Sequence, residues 1–273
     1  MGAKNLSENA PIGMFDSGIG GLTVLKEVQK HLPGENIIYL GDTARVPYGT
    51  RSSQTVLKYS LTNTDFLLQQ NIKLLVIACN TASAVATYKL REKYRIPIVD
   101  VVAPGARAAV KATDNGKIGI IGTEGTINSS AYQQEIRRLN KDVAIYTQPC
   151  PLFVPLAEEG WCDEQDEIVL SIALRYLAPL KKFTIDTLVL GCTHYPLLKG
   201  AIQSVMGGDI KLIDSAEETA LEVLNVLQTE NIKNNGSGQG DNTFYLTDAP
   251  HRFTETGRLF LGKELDNVTL IDI

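Results

Sequence analysis

The sequence has no long hydrophobic run and no block of charges of one sign. Its longest apolar stretches, such as residues 74–79, are far shorter than the ~20 residues that a membrane-spanning helix needs. Lys and Arg number 26 against 31 Asp and Glu, which gives a formal net charge of −5. Because binding to phosphate needs clustered positive charge, this balance argues against nucleic acid and anionic membranes as partners.

Cysteine is also scarce, with four residues in 273. So few thiols in a chain of this length are not the disulfide framework of a small secreted protein. No two of them have the C-x-x-C spacing of a disulfide-exchange site. The first ten residues contain no apolar run of the kind found in secretory signals. We therefore expect a reduced, cytoplasmic protein.

The sequence does contain an alternation of short apolar strands and amphipathic helices. Continuous runs of Ile, Val and Leu that end in glycine or small polar residues are typical of parallel strands covered on both faces. The predicted fold class is therefore α/β. Strands are predicted at residues 11–15, 36–40, 74–78, 96–101, 117–121, 143–146, 187–190, 210–213, 244–246 and 268–271. Helices are predicted at residues 21–31, 51–71, 83–94, 128–139, 165–181 and 216–229.

A weak internal repeat divides the chain into two similar halves. IGMFDSG at residues 12–18 resembles IGIIGTEG at 118–125, and VIACNT at 76–81 resembles VLGCTH at 189–194. The length fits two domains at about 150 residues each, and ten strands fit two sheets better than one. We predict two similar domains, each a mostly parallel sheet flanked by helices, related by a pseudo-twofold axis. The first domain is expected to be discontinuous, with residues 1–103 plus 213–273, and the second to span residues 104–212. The predicted crossings lie near Pro104-Gly105 and Asp214-Ser215.

Cys79 and Cys192 are the most informative residues, since each follows an apolar strand at a matching position of the two halves. Ligands bind at this edge of parallel sheets, and a helix N-terminus there favours the thiolate. Two equivalent thiols suit proton transfer at a stereocentre, which needs one base on each face of a carbon. Two other interpretations stay open: such cysteines can be packing residues, and together with His194 they could bind zinc. Cys150 and Cys162 lack this setting, and we interpret them as packing residues.

The glycine-rich turn at residues 16–23 allows two interpretations. It follows a strand and opens a helix as a dinucleotide-binding turn does, and Asp42 lies near the position expected for ribose binding. However, Thr23 stands where that fingerprint needs Gly or Ala, and the Asp16 carboxylate would face a pyrophosphate. We therefore expect the backbone N–H groups of the turn to hold a small anion. Further along, KNNGSGQGDN at residues 233–242 is predicted to be a flexible surface loop.

Five motifs together resemble the glutamate racemase family. They are FDSGIGG at residues 15–21, PYG at 47–49, ACNTA at 78–82, PLFVP at 151–155 and GCTHYP at 191–196. The resemblance implies two α/β domains with the active site between them, and no metal, pyridoxal phosphate or nucleotide cofactor. It also implies interconversion of L-glutamate and D-glutamate, which supplies D-glutamate for peptidoglycan synthesis. Because the family is often dimeric, a homodimer is one assembly that the resemblance implies.

The resemblance also implies roles for individual residues, which we assign by matching the motifs of the family to this sequence. Cys79 is the expected base for D-glutamate, and Cys192 is the expected base for L-glutamate. The polar groups expected to assist these proton transfers are Asp16, Glu158 and His194, with Glu159 as an alternative to Glu158. The residues expected to hold the ammonium and carboxylate groups of the substrate are Asp16, Ser17, Tyr48, Gly49, Asn80, Thr81, Thr193 and His194. Simpler roles also fit some of these residues, since Asp16 and Thr193 could cap helices and Tyr48-Gly49 could form a turn.

Three other functions fit parts of the same pattern. An aspartate racemase of the same superfamily would use the same pair of bases on a shorter substrate. A non-catalytic, two-lobed amino-acid-binding protein would close its lobes around a similar ligand. A zinc or thiol hydrolase would use Cys192 and His194 on a different substrate.

Overall fold

Ten strands lie in the part of the chain that the structure describes, and all ten overlap the positions predicted from the sequence. The computed structural model describes residues 7–236 and 238–273. Residues 1–6, where no secretory signal is predicted, and Ser237 in the predicted loop lie outside the described residues. The strands are β1 (Ile12–Asp16), β2 (Ile37–Gly41), β3 (Leu74–Ile77), β4 (Ile98–Asp100), β5 (Lys117–Gly122), β6 (Ala144–Pro149), β7 (Thr187–Gly191), β8 (Lys211–Asp214), β9 (Asn242–Leu246) and β10 (Val268–Leu270).

The strands form two parallel sheets. The first sheet has the order β10-β9-β2-β1-β3-β4, and the second sheet has the order β6-β5-β7-β8. Strand β1 is buried along its whole length, and its side chains alternate between two cores. Ile12 and Met14 contact one core, while Phe15 contacts the other. Burial on both faces requires the continuous apolar runs from which the strands were predicted.

Helices cover both faces of each sheet. The helices are α1 (Leu22–His31), α2 (Ser53–Gln69), α3 (Asn80–Lys93), α4 (Val102–Ala112), α5 (Glu124–Ser129), α6 (Ala131–Leu139), α7 (Phe153–Glu158), α8 (Glu167–Lys181), α9 (Lys199–Met206), α10 (Ser215–Thr229) and α11 (Pro250–Leu261). On the first sheet, α1, α10 and α11 pack on one face and α2 and α3 on the other. On the second sheet, α7, α8 and α9 oppose α4 and α6. The predicted α/β class with two parallel sheets is confirmed.

The two sheets contain the same four-strand arrangement. Within the first sheet, the strands β2-β1-β3-β4 repeat the order of β6-β5-β7-β8 in the second. Cys79 therefore follows the third strand of one unit and Cys192 follows the third strand of the other. Strands β9 and β10 extend the first sheet beyond this shared arrangement. The exact domain boundaries stay a prediction.

Several helices differ from their predicted form. The predicted helix at residues 128–139 is divided, because Ser130 has a left-handed backbone with φ of 58° between α5 and α6. Helix α3 begins three residues earlier than predicted, at Asn80, because Cys79 caps its N-terminus. Pro104 and Gly105 lie inside α4, in the first turn, where a proline needs no hydrogen-bonded N–H. Helices α4, α7, α9 and α11 have no predicted range of their own.

The predicted loop near residues 233–242 lies against the turn after α1. The backbone N–H of Asn234 donates to Glu35 Oε1 over 2.7 Å, and the N–H of Gly240 donates to the Pro33 carbonyl over 2.8 Å. These bonds join the loop to the segment that leads into β2. Across residues 7–236 and 238–273, no helix has both the length and the apolar composition for a membrane span.

Candidate active site

A cavity of about 150 Å³ lies between the carboxyl ends of the two sheets. Every predicted site residue lines it except Asp16 and Glu158, which lie behind the wall. Cys79 and Cys192, which follow the third strands of the two units, both line it. The cavity is lined by Ser17, Pro47, Tyr48, Gly49, Thr50, Cys79, Asn80, Thr81, Thr123, Glu124, Pro151, Val154, Pro155, Cys192, Thr193 and His194.

Cys79 lies at the N-terminus of α3, and its sulfur is close to two hydrogen-bond donors. The Sγ atom accepts from the N–H of Ala82 over 3.5 Å, and it lies 3.7 Å from the Ser17 hydroxyl. Burial and the nearby charge of Asp16 nevertheless raise the pKa of Cys79 to about 12. The Ala82 N–H at the helix N-terminus acts in the expected direction and lowers the pKa of Cys79, but desolvation outweighs it.

Cys192 belongs to a chain of three side chains. His194 Nδ1 lies 3.7 Å from Cys192 Sγ, and His194 Nε2 lies 3.0 Å from Glu158 Oε1. Burial lowers the pKa of His194, but the contacts with Cys192 and Glu158 outweigh burial and raise it to about 10. Burial likewise opposes ionisation of Glu158, yet the bond to His194 leaves the pKa of that carboxyl below its usual value. The imidazole is therefore charged at neutral pH.

The structure distinguishes Glu158 from Glu159, which the sequence left open. Glu158 is the last residue of α7, and its side chain is 29% exposed. The side chain of Glu159 is 66% exposed and contacts Arg252 instead of His194. Only Glu158 therefore reaches the imidazole that faces Cys192.

Asp16 is fully buried at the end of β1, and its carboxylate is held by the glycine-rich turn. Its Oδ2 atom accepts from the N–H of Gly18 over 2.8 Å, and the N–H groups of Ser17 and Gly21 also point to the carboxylate. Burial raises the pKa of Asp16 despite these donors and the positive charge of His194. Its Oδ1 atom has no hydrogen-bond partner among the described residues. Three N–H groups of this turn therefore hold the protein's own carboxylate, and an external anion at the turn stays a prediction.

Asn80 and Thr81 present polar groups at the start of α3. Asn80 Oδ1 accepts from the Tyr132 hydroxyl over 2.7 Å, while its Nδ2 group is buried with no partner in the described part of the chain. Thr81 Oγ1 lies 2.9 Å from Thr123 Oγ1, which belongs to the other unit. An unpaired amide donor on the wall of a cavity suits a carboxylate ligand.

Tyr48 lines the cavity, but its hydroxyl is bonded within the protein. Its hydroxyl donates to Asp42 and accepts from Asn63 Nδ2 at 3.1 Å, so it is not available to a ligand. Asp42 Oδ1 in turn accepts from Arg45 Nε over 2.7 Å. The carboxylate that the sequence suggested for ribose binding is therefore bonded to side chains of the protein. The part of this motif that faces the cavity is the 3-10 helix Tyr48–Thr50, whose first N–H groups have no acceptor within the helix.

The glycines of the turn allow close approach of the two units. A Cβ atom on Gly20 would lie 2.4 Å from the Nδ1 and Cε1 atoms of His194 and 2.3 Å from Thr193 Oγ1. Next to this contact, the Thr23 hydroxyl donates to the Thr193 carbonyl over 2.9 Å. The dinucleotide interpretation is therefore replaced by a packing role, in which Gly20 leaves room for the imidazole.

Replacement of Gly20 by alanine tests this contact. We expect Gly20→Ala to lower the free energy of unfolding by about 1–3 kcal/mol, because the added methyl group overpacks against His194. Denaturant unfolding measures the change. Gly208→Ala is the matched control, since a Cβ atom there meets nothing within 4 Å. Equal stability of the two variants would contradict the packing role of Gly20.

Sequence reasoning did not select Thr123, which lines the cavity opposite Thr81. Thr123 caps α5 by accepting from the N–H of Thr126 over 3.2 Å. The internal repeat contained the signal, because it aligns Thr123 with Ser17, and both residues directly follow the first strand of their unit. Pairing the two halves residue by residue would have added Thr123 to the predicted site.

The remaining cysteines lie outside the cavity. Cys150 is buried in the core of the second sheet, Cys162 is half-buried, and all four thiols are free. Within residues 7–236 and 238–273, no three His, Cys, Asp or Glu side chains are grouped as a metal site. Cys79, Cys192 and His194, which the sequence left open as zinc ligands, do not form such a group among these described residues.

The chain is similar to known proteins over nearly its whole length. Residues 22–223 match the family model described as Asp/Glu/Hydantoin racemase. The glutamate racemase of Geobacter metallireducens is 52% identical over 262 residues, which cover 96% of each chain. The crystal structure of a glutamate racemase isoform from Bacillus anthracis has a TM-score of 0.93 and 40% identity, covering 97% of this chain and 98% of that one. The glutamate racemase of Francisella tularensis, solved in complex with D-glutamate, has a TM-score of 0.91 and 38% identity over 97% and 98% of the two chains.

Proposed function

This chain belongs to the Asp/Glu/Hydantoin racemase family and is an amino-acid racemase, and we propose that it interconverts L- and D-glutamate with Cys79 and Cys192 as its two bases. The observation that carries the proposal is the position of these thiols, which follow equivalent strands of two units and line one cavity. Glutamate is chosen as the substrate because the similar chains are named glutamate racemases and one of them binds D-glutamate.

In the proposed reaction, each cysteine serves one face of the substrate. The thiolate of Cys192 removes the α-proton of L-glutamate and becomes a thiol. The thiol of Cys79 then gives its proton to the opposite face of the carbanion, which yields D-glutamate and leaves a thiolate. The reverse reaction starts from this state, so both cysteines take part in each direction and no electrons are exchanged with a cofactor.

The charged groups near the thiols assist these transfers in the proposal. The imidazolium of His194, held by Glu158, stabilises the thiolate of Cys192. On the other side, the buried carboxyl group of Asp16 lies close to Cys79, and burial raises its pKa. Because the α-proton of an amino acid is very weakly acidic, the site must also stabilise the carbanion as it forms.

Polar groups on both units are proposed to hold the substrate. The unpaired amide of Asn80 and the N–H groups of the 3-10 helix Tyr48–Thr50 are donors for the carboxylates. Thr81 and Thr193 add hydroxyl groups on the first and second units, and Ser17 lies beside the sulfur of Cys79. The cavity has walls from both units, so a bound substrate would displace water from it, which strengthens these contacts.

We propose the supply of D-glutamate for peptidoglycan synthesis in the cytoplasm as the use of this reaction. The family resemblance supports this role, as it supports catalysis without a metal, pyridoxal phosphate or nucleotide. All of the proton-transfer groups invoked are side chains of the chain itself.

Proton NMR and circular dichroism of the wild-type protein test the proposed reaction. In D₂O containing EDTA, we expect L-glutamate to lose its α-proton signal while its optical activity decays to zero. Persistence of both signals would show that glutamate is the wrong substrate, and aspartate would then be tested in the same way. Loss of the proton without racemisation would contradict the two-base reaction. Inactivation by EDTA that added zinc reverses would contradict metal-independent catalysis.

A further inference from the structure

Helix α11 has no counterpart in the second unit, yet it contacts the active site there. It lies between β9 and β10, the two strands that extend the first sheet beyond the shared four-strand arrangement. Phe253 and Phe260 anchor the helix in the core of the first sheet. From this position the helix reaches toward α7 and the residues that follow β7.

Two residues of α11 contact the side chains behind Cys192. The ring of Phe260 meets the imidazole of His194 edge to face, with centroids 5.3 Å apart and an interplanar angle of 83°. The Nη2 atom of Arg252 lies 3.6 Å from Glu158 Oε2 and 3.5 Å from Glu159 Oε1. The two oxygens of Glu158 are therefore divided, with Oε1 on His194 and Oε2 facing Arg252.

Arg252 constrains a carboxylate that has few other restraints. Glu158 is the last residue of α7, and its side chain is 29% exposed, so it could turn toward solvent. Arg252 is 65% exposed, and an ion pair of this kind contributes little to global stability. It does bias the orientation of the carboxylate, because Arg252 lies on the side opposite His194.

Cys79 has different neighbours. Its sulfur lies near Ser17 and the buried carboxylate of Asp16; Asp16 is the last residue of β1, and Ser17 directly follows it. The support that α11 gives is therefore directed to one of the two thiols.

We propose that Arg252 is a positioning residue that holds Glu158 against His194, so that α11 supports proton transfer at Cys192 and not at Cys79. The inference rests on the proposed function. It adds no chemical step, since the proton still moves between the substrate carbon and the sulfur of Cys192. Loss of Arg252 would misplace Glu158, and His194 would then stabilise the Cys192 thiolate less well.

The variant Arg252→Gln tests the proposal through its turnover. We expect kcat for glutamate racemisation to fall about two- to fivefold, the effect of losing one exposed ion pair, with KM unchanged. Arg252→Lys keeps the charge and is expected to restore most of kcat. Thermal unfolding followed by circular dichroism checks that the variants fold, which is expected because the side chain is 65% exposed.

Isotope effects show at which thiol the defect lies. Because the two enantiomers have equal free energy, kcat/KM must fall equally in both directions, so rates alone do not locate it. Slower transfer at Cys192 makes that step more rate-limiting. In Arg252→Gln, the deuterium isotope effect on kcat/KM is therefore expected to rise for L-[2-²H]glutamate and to fall toward one for D-[2-²H]glutamate.

Arg258→Gln is the matched control on the same helix. Arg258 pairs with Glu264 at 3.1 Å and is 61% exposed, so its replacement removes a similar ion pair away from Glu158. We expect wild-type kcat and isotope effects for this variant. Isotope effects that stay unchanged in Arg252→Gln, or that shift in the same direction for both enantiomers, would overturn the role of Arg252 while leaving the proposed function intact. A wild-type protein that does not racemise glutamate would overturn both.

Discussion

Cys79→Ser and Cys192→Ser are each expected to lower the kcat of glutamate racemisation at least about a thousandfold. General acid–base catalysis contributes about 10² to 10⁴ in rate, and a serine hydroxyl is far less acidic than a thiol. Each enantiomer requires both proton transfers, so either replacement stops both directions. Circular dichroism with L- or D-glutamate as the starting enantiomer measures the loss.

The matched control for these variants is Cys162→Ser. Cys162 is a free, half-buried thiol outside the cavity, and we expect its replacement to leave kcat unchanged. Exchange of sulfur for oxygen changes the side-chain volume little, so thermal unfolding should remain cooperative in all three variants. Wild-type turnover in either Cys79→Ser or Cys192→Ser would exclude a mechanism that needs a base on each face of the substrate.

The strands could be predicted from the sequence because burial on both faces requires a continuous run of apolar residues. Strands such as β3, with four buried apolar residues, can be recognised without knowledge of their neighbours. The helices that were not given a predicted range have a weaker sequence pattern. Helix α4 has Pro104 and Gly105 near its start and is rich in alanine, while α7 is only six residues long. The break at Ser130 depends on a left-handed backbone that its residue type does not require.

The two cysteines could be predicted because the repeat places them at the same point of the same topology. The groups around them could be predicted less well, since they depend on how the units approach. Glu158 and Glu159 are adjacent in sequence, and only the packing of α7 decides which of them meets His194. The close packing of Gly20 against His194 also joins residues that are far apart in the sequence. Neither contact can be predicted from the residues that are adjacent in the sequence.

The buried imidazolium is the second feature with a large expected effect. We expect His194→Asn to lower kcat about ten- to a hundredfold while KM changes much less. The reason is that an amide carries no charge, so the thiolate of Cys192 loses the stabilisation that a charged hydrogen-bond donor provides. Steady-state kinetics with both enantiomers separate kcat from KM.

A control histidine lies on α11. His251 pairs with Glu255 at 3.2 Å, and its side chain is 85% exposed. His251→Asn is expected to leave kcat and KM unchanged, because it removes an imidazole that faces solvent and not the cavity. If kcat fell equally in His194→Asn and His251→Asn, the decrease would not come from the loss of the charge beside Cys192.

The pH dependence gives the sharpest test of His194. Burial lowers its pKa, but Cys192 and Glu158 raise it to about 10, so the wild-type imidazole stays charged from neutral pH to about 10. In the asparagine variant, the side chain beside Cys192 carries no charge at any pH. The ratio of wild-type to variant kcat is therefore expected to be largest near neutral pH and to shrink as pH approaches 10, where the wild-type imidazole loses its proton. A ratio that stays constant over this range would show that His194 acts by shape and not by charge.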